Sequence, residues 1–217
     1  MATTASPFGL LPVNMIGGGP YQGGTLRRFD VKANVSTAIF NGQMVVLSTA
    51  GLPAGVTASP TAQNLAATST QPNTPGMVGV MQGCEYISAE GQLLFKNYLP
   101  ADIIDGGAKE VRIYVNDDPN VVFKIQGDQA LGSFNSSNPT GAIGMNAAVK
   151  TFTGSTTTGK SNMVLDVGSN GGNLGATATL GFRIIGLVPG TESDTYPEFL
   201  VKYNVGVHSY NNSLGLA

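Results

Sequence analysis

The chain has no tryptophan, one cysteine, one histidine and little charge: 11 lysines and arginines with 13 aspartates and glutamates make 11% of 217 residues, where about 25% is usual. Their place is taken by 30 glycines and 12 prolines, which excludes a helical bundle or a coiled coil. With a single thiol, Cys84 closes no intrachain disulfide, and together with His208 it cannot furnish the four ligands of a structural zinc; the redox compartment stays open. Cys84 is followed by Glu85 rather than a cation, so it reads as a small buried apolar residue and not as a reactive thiolate. Basic residues cluster no further than the pair Arg27-Arg28, and the formal charge is -2. Nucleic acid is therefore not an expected partner, since its affinity is built by neutralising phosphates. Met1 to Leu11 lacks a basic stretch followed by an apolar one, and no run of about 18 apolar residues occurs, so neither a cleaved secretion signal nor membrane insertion is expected.

What is present argues for a folded chain: 41% of the residues are apolar, more than a disordered segment carries at such low charge. The charge is also unevenly placed, being absent from Ala33 to Cys84, from Gln129 to Val149 and from Val167 to Phe182. A surface that stays free in solution is usually about 25–35% charged, so these stretches read as surface that something covers. Solvation of loops by Gly, Thr, Ser and Asn is the plainer alternative.

Short runs of Val, Ile, Phe and Tyr bounded by Gly, Pro, Asn and Asp predict about ten strands: Leu26–Val31, Met44–Leu47, Met77–Met81, Leu93–Tyr98, Val111–Val115, Val121–Ile125, Ala147–Phe152, Met163–Val167, Phe182–Val188 and Phe199–Val205. The expected fold is all-β, an antiparallel β-sandwich or barrel, jelly-roll-like, as a single β domain over 26–217 behind an extended N-terminal arm at 1–25. In the arm, Pro7, Pro12 and Pro20 with Gly17-Gly18-Gly19 and Gly23-Gly24 forbid helix and central strand; we expect Thr3 to Gly24 to lie unpaired along a neighbour. Asn116-Asp117-Asp118-Pro119-Asn120 predicts a hairpin turn between the strands on either side of it. Ser48 to Gly76 and Gly127 to Gly144 read as long loops, which are usually functional or docked. Short helical turns are expected at Pro100–Asp105 and Asp128–Phe134.

Gly154-Ser155-Thr156-Thr157-Thr158-Gly159-Lys160-Ser161 matches the phosphate-binding G-x4-G-K-S pattern letter for letter. That motif works only where the loop leaves a buried parallel strand and opens a helix, and here Met163 to Val167 reads as a strand. A hairpin loop is expected instead, with Asp166 too near Lys160 in sequence to hold the magnesium of such a site. Gly17-Gly18-Gly19 and Gly171-Gly172 have no following helix and read as turns. The carboxylate pairs Asp117-Asp118, Asp102 with Asp105, and Glu192 with Asp194 lie in turn-like sequence without calcium-loop spacing. His208 has no nucleophile beside it and reads as a packing or interface residue. No catalytic, cofactor-binding or metal-binding residue is expected, and no cofactor.

Ala2 to Val13, Val115-Asn116-Asp117-Asp118-Pro119, Ile143 to Ala148, and Phe199 to Asn204 with His208 together resemble small head proteins of tailed double-stranded DNA bacteriophages. The resemblance implies a capsid decoration or cement protein. It would be made in the host cytoplasm, have no enzymatic activity, and bind the outer capsid surface so as to bridge neighbouring major capsid proteins and stabilise the DNA-filled head. The major capsid protein and the chain itself, as a dimer or trimer, are the expected partners. Multivalent attachment would let weak contacts add up. The competing expectation is a head-fibre or host-surface module holding glycans through Thr/Asn-rich loops and Tyr86, Tyr98 or Tyr196.

Overall fold

The structure, a computed structural model, describes residues 5–22, 26–31, 36–48, 59–62, 77–131, 139–150, 152–168, 174–178 and 180–204. These form β1 (Leu11–Met15), β2 (Leu26–Asp30), β3 (Ile39–Phe40), β4 (Met44–Ser48), β5 (Ser59–Ala62), β6 (Met77–Ile87), β7 (Leu93–Lys96), β8 (Tyr98–Leu99), β9 (Lys109–Asn116), β10 (Val121–Gln126), β11 (Asn146–Lys150), β12 (Val164–Asp166), β13 (Phe182–Leu187) and β14 (Glu198–Tyr203). His208, the glycines at 171–172 and most of the proline-rich tract before Met77 lie outside the described residues.

The fold is all-β, and every strand pairing is antiparallel. One six-stranded sheet has the order β1-β10-β14-β13-β11-β12 and curls into a half-barrel. Its far strand returns to β10 through a bridge between Gly127 and Leu165 and a bond from the Asp128 amide to the Leu165 carbonyl. Such curling hides strand edges that would otherwise seek partners. The interior is filled by Phe123, Phe182, Phe199, Leu165, Val201 and Tyr203, each buried side chain stabilising by roughly 1.5–3 kcal/mol. The second sheet, β2-β9-β6-β4-β5 with β7 on the far half of β6, stays open and builds its own core from Phe29, Val45, Met81, Tyr86, Ile113 and Val115. Successive residues of a strand face opposite ways, so Met44 and Val80 enter the half-barrel core while Val45 and Met81 enter the other. The two sheets share β4 and β6 as a wall.

The turn at 117–120 is the clearest departure from expectation. The strands flanking it do not pair with each other, because each already has two partners: β9 lies between β2 and β6, and β10 between β1 and β14. Val111, Ile113 and Val115 face one core, Val121, Phe123 and Ile125 the other. The polar turn is a corner between sheets, pinned where the Tyr203 hydroxyl donates to the Asn116 carbonyl at 2.8 Å.

The N-terminal arm also differs. Rather than lying unpaired, Leu11 to Met15 is the edge strand of the half-barrel, paired with β10. Proline is tolerated there because it sits at an edge and beside a bulge, where the register shifts between Pro12 and Asn14. Leu10 is fully buried in the barrel core, and the Phe8 ring lies over the Lys124 ammonium at 4.9 Å. The predicted strand Leu93–Tyr98 breaks at Asn97 into β7 and β8, and the stretch after it, 101–107, is a run of turns and not a helix. No helical turn forms at 128–131; the rest of that expected turn lies outside the described residues, and a single 3-10 turn follows at Pro139–Ala142.

Candidate functional site

The phosphate-loop look-alike sits in the hairpin between β11 and β12, whose register runs from Ala148 opposite Asp166 to Lys150 opposite Val164. Five of its eight amides are committed within the protein. Ser155 N donates to Lys160 O at 2.9 Å, Gly159 N to Ser155 O at 2.7 Å and Ser161 N to Asn41 O at 2.8 Å, while Thr158 N and Lys160 N donate to the hydroxyls of Ser155 and Thr158. The glycines serve close approach instead: a Cβ on Gly154 would run into the Phe40 ring, and Gly159 takes φ +71° beside Asn97. A strand follows Ser161, not a helix whose N-terminus could meet a phosphate. Asp166 is buried and paired with Lys150 at 2.8 Å.

Lys150 is the centre of a small ionic staple that the sequence pattern did not single out. Its Nζ reaches Asp128 Oδ2 at 2.5 Å and Asp166 Oδ1 at 2.8 Å, and Asp128 Oδ1 accepts the Val167 amide. Burial disfavours the ammonium, but the two carboxylates outweigh it and hold the lysine above its ordinary range. A lysine nucleophile or base needs the opposite shift; the contacts of Lys150 tie β11 to β12 and to the loop after β10.

A second charged group lies on the outward face of the open sheet. Glu85 on β6 accepts the Tyr114 hydroxyl at 2.5 Å and ion-pairs with Arg28 and Arg112 at 3.3 Å. Arg112 also meets Asp30 and Glu110. The Tyr114 hydrogen bond, with Arg112 and Arg28, holds the Glu85 carboxyl below its ordinary range against the cost of burial, and the same bond raises the Tyr114 hydroxyl. β-Strand register explains the meeting, since Arg28 lies opposite Tyr114 and Arg112 opposite both Asp30 and Glu85.

The other candidates do not converge. Tyr86 is buried in the open sheet's core, Tyr98 stacks on Phe40 with centroids 5.4 Å apart, and Tyr196 lies at the mouth of the half-barrel. Asp117 pairs with Arg27 at 3.0 Å, and burial raises its carboxyl. Asp118 accepts the Asn120 amide, and Glu192 the Gly190 amide. Among the described residues no cluster of His, Cys, Asp and Glu could hold a metal ion. No helix of the described residues is long and apolar enough to cross a membrane. Cys84 is buried, as expected; its thiol donates to the Tyr98 carbonyl at 3.1 Å, and burial pushes it up to about 12.

A cavity of about 320 Å³ opens beside Tyr196, between the arm at Pro7 and the loop at Phe152 and Asn162. Part of its polar lining is engaged within the protein: Gln126 Oε1 accepts the Ser6 amide, Asn162 donates to the Thr153 carbonyl, and Asp128 is held as described.

Exposed apolar side chains are the surface feature with a pattern. Leu11 at 43% and Val13 at 38% lie on β1, with Ile16 at 43% just beyond; Leu93 at 57% and Phe95 at 66% lie on β7. Among the described residues β7 pairs with β6 alone, and β1 pairs with β10 and carries one further bridge, from Asn14 to Pro20. Sequence reading gave β7 as part of a strand and missed its exposure. The available signal was that Leu94 and Phe95, on opposite faces, are both apolar. No family model, no curated protein and no solved structure matches the chain.

Proposed function

We propose that the chain is a structural virion protein of a tailed double-stranded DNA bacteriophage, seated on the outer capsid surface and bridging neighbouring major capsid proteins. The observation that carries this reading is the gathering of exposed leucine, valine, isoleucine and phenylalanine on two sheet-edge segments, in a chain that has long uncharged stretches. Exposed apolar surface on strand edges is a liability in a protein that stays alone and an asset in one that is covered. The resemblance in sequence supplies the shell as the partner, and many small contacts per particle would give lasting attachment. Peptide quantification of purified virions tests it: the expected result is a copy number comparable to that of capsomers, with loss of heat and osmotic resistance when the protein is removed. Absence from the particle, or a few copies at one vertex, overturns it, and binding to a glycan array would favour the host-surface module instead.

A further inference from the structure

We infer that β7 is a self-pairing edge, through which two copies of this chain join by antiparallel strand addition about a two-fold axis at Leu94. This deepens the capsid reading by naming the contact between copies, and it stands or falls without the shell.

The backbone fixes which groups are open. The Ser88 amide donates to the Gln92 carbonyl at 2.8 Å, and the β6–β7 register runs without a shift from Ile87 opposite Leu93 to Cys84 opposite Lys96. In an antiparallel ladder hydrogen-bonded pairs alternate with non-bonded ones. The bonded pairs are therefore Tyr86 with Leu94 and Cys84 with Lys96, so the amides and carbonyls of Leu93 and Phe95 point away from β6. On that outer side β3 covers the chain only where it continues into β8: Ile39 lies opposite Leu99, Phe40 opposite Tyr98, and the Asn41 amide bonds the Asn97 carbonyl. There the chain turns away at Gly42 and Gln43 into β4. Among the described residues nothing bonds the outward groups of Leu93 and Phe95.

The occupant that fits this short window is the window itself. With the two-fold axis at Leu94, Leu93 faces Phe95 of the second copy and Phe95 faces its Leu93, so each exposed side chain gains an apolar cross-strand partner. Each outward amide meets an outward carbonyl. Lys96 comes opposite Gln92 rather than a second lysine, which avoids the like-charge opposition that guards most edges. On the other face Leu94, packed against the open sheet's core, meets its own symmetry mate and makes the two cores continuous. The interface is isologous, as two-fold contacts are.

The register gives the test. Leu94→Cys in the full chain places two thiols at a non-bonded pair with Cα atoms about 4.5 Å apart, within reach of a disulfide. Under mild oxidation it should give a covalent dimer on a non-reducing gel. The wild-type chain, whose Cys84 is buried, and Phe152→Cys, with an exposed thiol elsewhere, should give little. Phe95→Lys should weaken self-association about tenfold or more in sedimentation, with an unchanged far-ultraviolet circular dichroism spectrum confirming the fold. No disulfide dimer from Leu94→Cys above the Phe152→Cys background, or unaltered sedimentation of Phe95→Lys, overturns the inference.

Discussion

The half-barrel keeps its ion pairs at its seams, where Lys150 ties Asp128 to Asp166 and Lys124 meets Glu198, and fills its inside with aromatic rings. The open sheet carries its charges across an outward face around Glu85, and leaves leucine and phenylalanine on its free edge. Closure converts pairing capacity into stability; an open edge keeps that capacity available to another molecule. The contrast lies inside each sheet as well, since the half-barrel keeps Leu11 and Val13 exposed on its own edge strand β1.

Cutting one aromatic from each region tests this division most strongly. Phe182→Ala in the barrel core should lower unfolding stability by about 3–5 kcal/mol, whereas Phe95→Ala at the open edge should change it by less than about 0.5 kcal/mol, both read from urea midpoints at protein concentrations low enough for the chain to be monomeric. A large loss at Phe95 would mean that its ring is part of a core and would erase the distinction. The charges give a smaller contrast. Lys150→Met takes the ammonium away from the buried Asp166 carboxylate and should cost about 2–4 kcal/mol. Glu85→Gln should show itself mainly through pH. Because the folded Glu85 carboxyl titrates below its unfolded value of about 4.3, its contribution is complete above that value and is lost as pH falls through the folded one. The variant should flatten the acid limb of stability as pH falls below about 4.3; an unchanged slope would show that the network does not couple to folding. The smallest effect is expected at Lys160→Ala, which should shift stability by less than about 0.5 kcal/mol. Calorimetry with nucleotide should give no heat before or after the substitution, and a saturable heat in the wild-type chain would reinstate the phosphate loop.

Strand positions were legible because they follow from local pattern: Val121 to Ile125 and Phe182 to Val188 are strands for the alternation visible along the chain. Which strand meets which is a different matter. The sequence around Asp117 reads as a hairpin because its turn chemistry is local, yet pairing is decided by the number of partners each strand gains elsewhere. β1 escaped prediction because Pro12 speaks against a strand unless an edge and a bulge are known to be there. The outward face of the open sheet was hidden for a similar reason, since Arg28, Glu85 and Arg112 are far apart in sequence and meet only through register. The letter match at Gly154 to Ser161 was readable as a hairpin loop because the residues after it are strand-like.

The strand paired with β10 begins the described barrel, and the bond from the Ile16 amide to the Asn120 carbonyl at 2.8 Å follows directly on the pairing of Met15 with Val121. The whole of the open sheet is thereby threaded between two neighbouring strands of the half-barrel, entering and leaving through one doorway. Seen this way, residues 16–120 are a guest held in a hairpin of the host. Because the guest's ends meet, its loops away from Met44 and Val80, which enter the barrel core, can be enlarged or trimmed without moving the strands that admit it.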